Sequence, residues 1–244
     1  MTAERPGVEL LFLGSGNAFG DEARAFSSFL LNGAHLFDCG PTTLQQMRRA
    51  GVSSNQVKGV FISHFHGDHF FGLPFLVLDA WREGRREELW IAGPPGVGDR
   101  AEGLLELAFP RLPRGGPAFA RRYLEVRDGF QGELAGLEFE ASEVEHVPGL
   151  QCFAFRARAA GRSLTYSGDS RLCPGLLKLV PGSEVLVMEC ACGDEHVHMC
   201  PADLLEVRRH ADEGAQIIVT HLEHAPGPEL AGFLAATDLA RFRF

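Results

Sequence analysis

An α/β fold, with two β-sheets packed together and helices outside, is the architecture this sequence predicts. Three observations predict it. Strand-like apolar runs fill both halves of the chain, each half closes on helical segments, and no linker long enough to separate domains intervenes. The 244 residues therefore read as one domain, residues 1–244, long enough to bury a sizeable core.

Val8–Leu13 is a short apolar strand that stops at the tight turn Gly14-Ser15-Gly16-Asn17. This turn lacks the Lys and the spacing of a phosphate-binding P-loop. Ser27–Leu31 and His35–Asp38 form a hairpin through Asn32-Gly33. Pro41-Thr42-Thr43 opens a helix that runs through Arg49 and closes at Gly51. Val57–Ile62 is a strand, and Phe70–Arg82 reads as a single helix after it. A strand at Leu89–Ala92 stops at Gly93-Pro94-Pro95-Gly96, and Arg100–Phe109 is helical. Pro110 to Pro117 is expected to be a surface loop. Strands follow at Tyr123–Val126, Leu137–Val144, Cys152–Arg156 and Ser163–Tyr166. A helix near Leu172–Val180, a strand at Glu184–Glu189, a helix at Ala202–His210 and a strand at Gln216–Thr220 complete the order.

The formal charge of −9 argues against affinity built on a broad basic surface. It leaves room for a small phosphate ligand, because bound metal supplies local positive charge. The six cysteines show no paired C-x-x-C spacing, so a disulfide scaffold is not expected. Cys190 and Cys192 read as buried thiols at a strand end. Met1 to Gly7 is polar, and no apolar run is long enough to span a bilayer. A reducing cytoplasm is the expected location.

The chemistry concentrates in Ser63-His64-Phe65-His66-Gly67-Asp68-His69, directly after the apolar strand. At a strand end, His64 and His66 can face one metal while Asp68 and His69 reach a second. Neutral imidazoles and carboxylates suit zinc better than calcium or magnesium. His146, Asp169 and His221 also stand at the ends of strand-like segments. Each alone is weak evidence, but with the first motif they make a set of seven. Two ions sharing a hydroxide need about three protein ligands each and a common carboxylate. The expected assignment is His64, His66 and His146 on one ion, Asp68, His69 and His221 on the other, and Asp169 bridging. Zinc is the expected metal, with manganese the other candidate. Asp68, as a ligand, is an expected catalytic residue.

Order and spacing resemble the metallo-β-lactamase superfamily, and within it the ribonuclease Z-like branch. The matching pieces are Gly14-Ser15-Gly16, Ser27 to Leu31, Phe37-Asp38-Cys39-Gly40, the His-rich motif, Gly93 to Gly96, His146, Gly168-Asp169-Ser170 and Thr220-His221. The resemblance implies a four-layer αββα sandwich with a dinuclear centre along one edge. It also implies that His198, rather than His196, stands beside the metals without binding them and assists the leaving group. Glu189 is expected to orient a histidine from behind.

Two departures narrow the expectation. Only 22 residues separate His146 from Asp169, too few for the basic arm of tRNA-trimming members of the branch. The tail after His221 reads Leu222-Glu223-His224-Ala225-Pro226, without the serine and arginine usual in those enzymes. The arrangement is closer to small cyclic phosphodiesterases. The expected function is hydrolysis of a small or cyclic phosphodiester by a metal-bridging hydroxide. An RNA 3′-processing nuclease and a lactone or thioester hydrolase are the alternatives. A homodimer is compatible with the resemblance, and no membrane partner is expected. Arginines at 82, 85, 86, 121, 122, 208 and 209 are candidate phosphate contacts, with a solvated surface as the default for each.

Overall fold

The computed structural model describes residues 7–19, 24–110, 119–191 and 196–244. Cys192 and most of the expected 110–117 loop lie outside the described residues. Among the described residues, fourteen strands form two seven-stranded sheets. The first runs in spatial order β14 (Arg241–Arg243), β1 (Glu9–Gly14), β2 (Ser28–Leu31), β3 (His35–Phe37), β4 (Gly59–Phe61), β5 (Leu89–Gly93), β6 (Arg121–Glu125). The second runs β13 (Leu234–Ala235), β12 (Gln216–Thr220), β11 (Val185–Glu189), β10 (Arg162–Tyr166), β9 (Cys152–Ala159), β8 (Leu137–Val144), β7 (Phe130–Leu134).

Side chains alternate across each strand, so residues two apart share a face. In β1, Leu10 and Phe12 enter the core between the sheets. Leu11 and Leu13 point the other way, into a second core with Met47, Leu73, Leu76 and Ala101. These come from helices α1 (Thr43–Arg49), α3 (Leu73–Arg82) and α4 (Val97–Ala108). The second sheet repeats the plan: Val185 and Val187 face inward, Leu186 and Met188 face outward against α5 (Pro174–Leu177) and α6 (Pro201–His210). Strands covered on both faces must be apolar on both, which is why they read as continuous hydrophobic runs. The result is the expected four-layer αββα sandwich.

Cross-strand aromatics mark its centre. Phe29 stacks on Phe37 at 4.7 Å and Phe37 on Phe61 at 4.6 Å, following the register of β2, β3 and β4. Tyr166 from the opposite sheet meets Phe29 and Phe37 edge-on.

The expected helix over Phe70–Arg82 is in fact two. A single turn, α2 (Gly67–Phe70), precedes α3, and the chain bends at Phe71-Gly72. Gly72 packs so closely that a Cβ there would lie 1.9 Å from the carbonyl oxygen of Gly40. The expected helix near Leu172–Val180 shrinks to Pro174–Leu177. Hydroxyls of Thr165 and Ser183 bond the Leu179 carbonyl, and Pro181 has no N–H with which to extend the helix. Strands β7, β13 and β14 are additions to the predicted order. β7 is half polar because it is an edge strand, and β14 closes the opposite sheet with Phe242 edge-on to Phe12 at 5.6 Å.

Candidate metal centre

Strands β3 to β6 are mutually parallel, as are β10 to β13, so their C-terminal ends gather along one edge. Loops leaving such ends are where α/β folds place their ligands. β4 delivers the His-rich loop, β10 delivers Gly168-Asp169, β11 ends in Glu189, and β12 delivers His221. His146 follows β8, whose pairing with β9 brings it to the same edge.

Local backbone aims these side chains. His221 has φ +57 and Asp38 has φ +56, conformations that L-residues adopt at a cost. Gly168 has φ +58, and a Cβ there would lie 2.8 Å from the Phe153 carbonyl oxygen and 2.9 Å from Ser63 Cβ. Glycine is therefore required one residue before Asp169.

All seven expected ligands converge. The donor atoms of His64, His66, His146 and Asp169 lie within 4.8 Å of one another, and so do those of Asp68, His69, Asp169 and His221. One oxygen serves both groups: Asp169 Oδ2 is 3.7 Å from His64 Nε2, 3.9 Å from His146 Nε2, and 3.2 Å from Nε2 of both His69 and His221. Asp68 Oδ2 lies 3.1 Å from His69 Nε2 and 3.5 Å from His221 Nε2.

The donor set fits divalent cations. His64 Nε2, which faces Asp169 Oδ2, is buried without a hydrogen-bond partner, a costly arrangement unless something else satisfies it. Burial, with neighbouring imidazoles, lowers the pKa of His64 and His66. Burial likewise lowers that of His146. These rings are held neutral, the form that binds metal. Burial opposes charge on His69 as well, but the carboxylates of Asp169, Asp68 and Asp38 outweigh it and raise its pKa. For Asp169, burial is outweighed by His221 and His69, and its carboxyl stays ionised.

Several imidazoles are fixed from behind. His69 Nδ1 donates to Asp38 Oδ2 at 2.8 Å, and His146 Nδ1 to the Val197 carbonyl at 2.8 Å. Ser63 Oγ donates to Asp38 Oδ2 at 2.8 Å and lies 2.9 Å from His64 Nδ1. Asp38 and Tyr166 escaped sequence reasoning. The signal was a carboxylate ending an apolar strand, but its partners come from other strands.

Glu189, expected to orient one of the metal-facing histidines, instead meets His198, which is not among the seven. Its Oε1 accepts from His198 Nδ1 at 2.8 Å, and its two oxygens also accept from the backbone N–H groups of Ser170 and Ala191. Burial raises the Glu189 carboxyl. Burial disfavours charge on His198, but the Glu189 hydrogen bond overcomes it and raises the His198 pKa. The His198 ring stands 4.8 Å from that of His146 and 5.4 Å from that of His221. It lines the cavity of about 600 Å³ above the ligands. His196 instead lines a neighbouring groove with Glu145 and Arg171.

None of the candidate arginines reaches this cavity. Arg85 is buried and donates to the carbonyls of Ser54, Glu87 and Glu88. Arg121 grips Glu102 bidentately, and Arg122 grips Glu88. Arg208 donates to the Gly232 carbonyl and lies over Phe233, while Arg209 pairs with Glu206. Arg82 and Arg86 are exposed.

Sequence and fold comparisons agree with this geometry. A protein named ribonuclease Z from Methanothermobacter thermautotrophicus is 27% identical over 271 residues, covering 88% of this chain and 86% of that protein. The metallo-β-lactamase fold protein YhfI of Bacillus subtilis superposes with a TM-score of 0.78 at 17% identity, covering 98% of this chain and 99% of its own. Human tRNase Z, short form, gives 0.76 at 23% identity, covering 96% and 98%. The family described as anti-Pycsar protein Apyc1 matches residues 8–231. The chain thus belongs to the anti-Pycsar protein Apyc1 family, has the metallo-β-lactamase fold, and is similar in sequence to proteins named ribonuclease Z.

Proposed function

We propose that this protein is a dinuclear metal-dependent phosphodiesterase acting on a small or cyclic phosphodiester. The observation that carries the reading is the single Asp169 oxygen facing two ligand groups, with His198 beside them. His64, His66 and His146 would hold one ion, Asp68, His69 and His221 the other, and Asp169 both. Zinc is the metal this N/O donor set favours, with manganese as a substitute. Ions held by these residues would supply Lewis acidity, activating water near neutral pH and stabilising charge on a phosphate ester.

The protein's own groups supply the rest. Asp68 and Asp169 fix the negative charge that balances the cations. His198, held by Glu189, carries a proton on the cavity-facing Nε2 when charged and can pass it to the leaving alkoxide. The second reading, an RNA 3′-processing nuclease, draws on the relative named ribonuclease Z. Against it stand the net charge and the short β9–β10 hairpin between His146 and Asp169, which leaves no room for an RNA-binding arm.

The test is hydrolysis of bis(p-nitrophenyl) phosphate by zinc- or manganese-loaded protein, beside His198→Ala. The expected result is turnover by the wild type and a loss of about 10²–10⁴ in kcat for the variant with both metals retained. Metal loss from the variant would remove His198 from the acid role. Inert wild type that nonetheless trims a precursor tRNA would select the second reading.

A further inference from the structure

The cavity has two unlike halves. Its floor is the candidate ligand set, and its walls are mostly apolar, with Ala18, Phe19, Val147, Ala191 and Val197 beside Asn17 and the carboxylate of Glu223. Among the described residues no Lys or Arg lines it. A polyanionic ligand needs fixed cations along its length. Cations held by the ligand set would confine positive charge to the floor, so the cavity suits one phosphate group below and an uncharged body against the largely apolar wall.

Phe19 is the unusual member of that wall. Its side chain is 85% exposed, although an aromatic ring gains more than most side chains by burial. Its backbone is nonetheless held. Asn17, only 6% exposed, accepts the Phe19 N–H on its Oδ1 at 3.0 Å and donates its own N–H to the Leu222 carbonyl. Leu222 in turn donates to the Ser15 carbonyl at 2.8 Å and directly follows His221. An exposed ring is thus anchored to the strand end that presents a metal ligand.

We propose that Phe19 is a specificity-determining residue: it stacks on a planar aromatic ring carried by the phosphate ester. The assignment deepens the phosphodiesterase reading and rests on it for the reaction, though not for the binding. Aromatic stacking is worth about 1–3 kcal/mol by alanine substitution, which is roughly 5- to 150-fold in affinity.

The experiment is titration calorimetry of zinc-loaded wild type, Phe19→Ala and Phe19→Tyr with phenyl phosphate and methyl phosphate. The two probes share the anionic head and differ by the ring. Wild type should prefer phenyl phosphate; Phe19→Ala should lose that preference while holding methyl phosphate as before, and Phe19→Tyr should keep it. With bis(p-nitrophenyl) phosphate the alanine variant should show its loss in KM rather than kcat. Equal weakening of both probes, or a wild type that does not distinguish them, would overturn the assignment. If the ring preference behaves as stated but no diester is cleaved, the subsite stands and the phosphodiesterase reading falls.

Discussion

Tyr166 donates its hydroxyl to Asp38 Oδ2 at 2.6 Å, joining the end of β10 in one sheet to the end of β3 in the other. The same carboxylate accepts from Ser63 N–H, Ser63 Oγ and His69 Nδ1. Asp38 is therefore where the aromatic core between the sheets meets the ligands. It has no exposure to water, so each lost donor or acceptor is felt in full.

Replacing Asp38 with Asn should weaken metal binding by about 10–100-fold, because an amide presents N–H to groups that are themselves donors. Tyr166→Phe removes one donor of four and should cost about 1–3 kcal/mol of stability with a smaller effect on metal. Competition with a chromophoric chelator measures the first and urea unfolding the second. Wild-type metal affinity in Asp38→Asn would show that His69 needs no partner behind it.

Arg85 supports the fold from beneath α3. Its guanidinium is buried, faces three backbone carbonyls and lies 5.4 Å from the centre of the Phe119 ring. Arg85→Ala leaves those carbonyls without their donor and should destabilise by at least about 2 kcal/mol. Arg85→Lys keeps the charge but not the planar fork, so it should restore only part of that loss. The exposed neighbour Arg86→Ala should change stability by less than about 0.5 kcal/mol. Equal midpoints for Arg85→Ala and Arg86→Ala in denaturant would contradict this account.

These contrasts show what a sequence exposes and what it hides. The seven candidate ligands were legible because each follows an apolar strand-like segment, and strand ends of an α/β fold collect at one edge. Asp38 and Tyr166 were not, because their bond depends on which two strand ends meet across the sandwich. Arg85 looked like its exposed neighbours in the run Arg82 to Arg86; only the bend that brings Ser54 and Glu88 around it distinguishes it. The bend at Gly72 was hidden for the same reason, since the close approach to Gly40 is a tertiary contact. Arg241-Phe242-Arg243 carries the alternation of a strand, but so short a run gains that meaning only beside β1.

That terminal strand gives the stability a pH dependence. Glu9 Oε1 accepts from Arg241 and Oε2 from Arg243, each at 2.7 Å, and the hydrogen bond from Arg243 leads the causes that lower the Glu9 pKa. A depressed carboxyl contributes stability that is present above its unfolded value, about 4.3, and is lost as pH falls through the folded one. The unfolding midpoint in urea should therefore decline on acidification below that range. Glu9→Gln should be less stable than wild type at pH 7, and the gap should narrow in acid. A constant gap across that range would show that the ion pairs contribute nothing that titrates.

Asp238 ties the C-terminal segment to the loop that carries Phe19. Its Oδ1 accepts from Ser15 Oγ at 2.9 Å, and its Oδ2 from the Ala25 N–H at 2.7 Å and from Gln46 Nε2 at 3.0 Å. Ser15 and Ala25 flank Asn17 and Phe19 on either side, so one carboxylate closes the base of that loop. Asp238→Ala leaves the Ala25 N–H and the Gln46 amide without an acceptor and should cost about 1–3 kcal/mol of stability. The consequence for the site is more diagnostic. If Phe19 is held in place by this closure, Asp238→Ala should raise KM for a ring-bearing ester in the same direction as Phe19→Ala. Adding it to Phe19→Ala should then do little more, since both act through one ring. A double-mutant cycle on KM measures that coupling. Full additivity would mean that Asp238 stabilises the fold without positioning the ring.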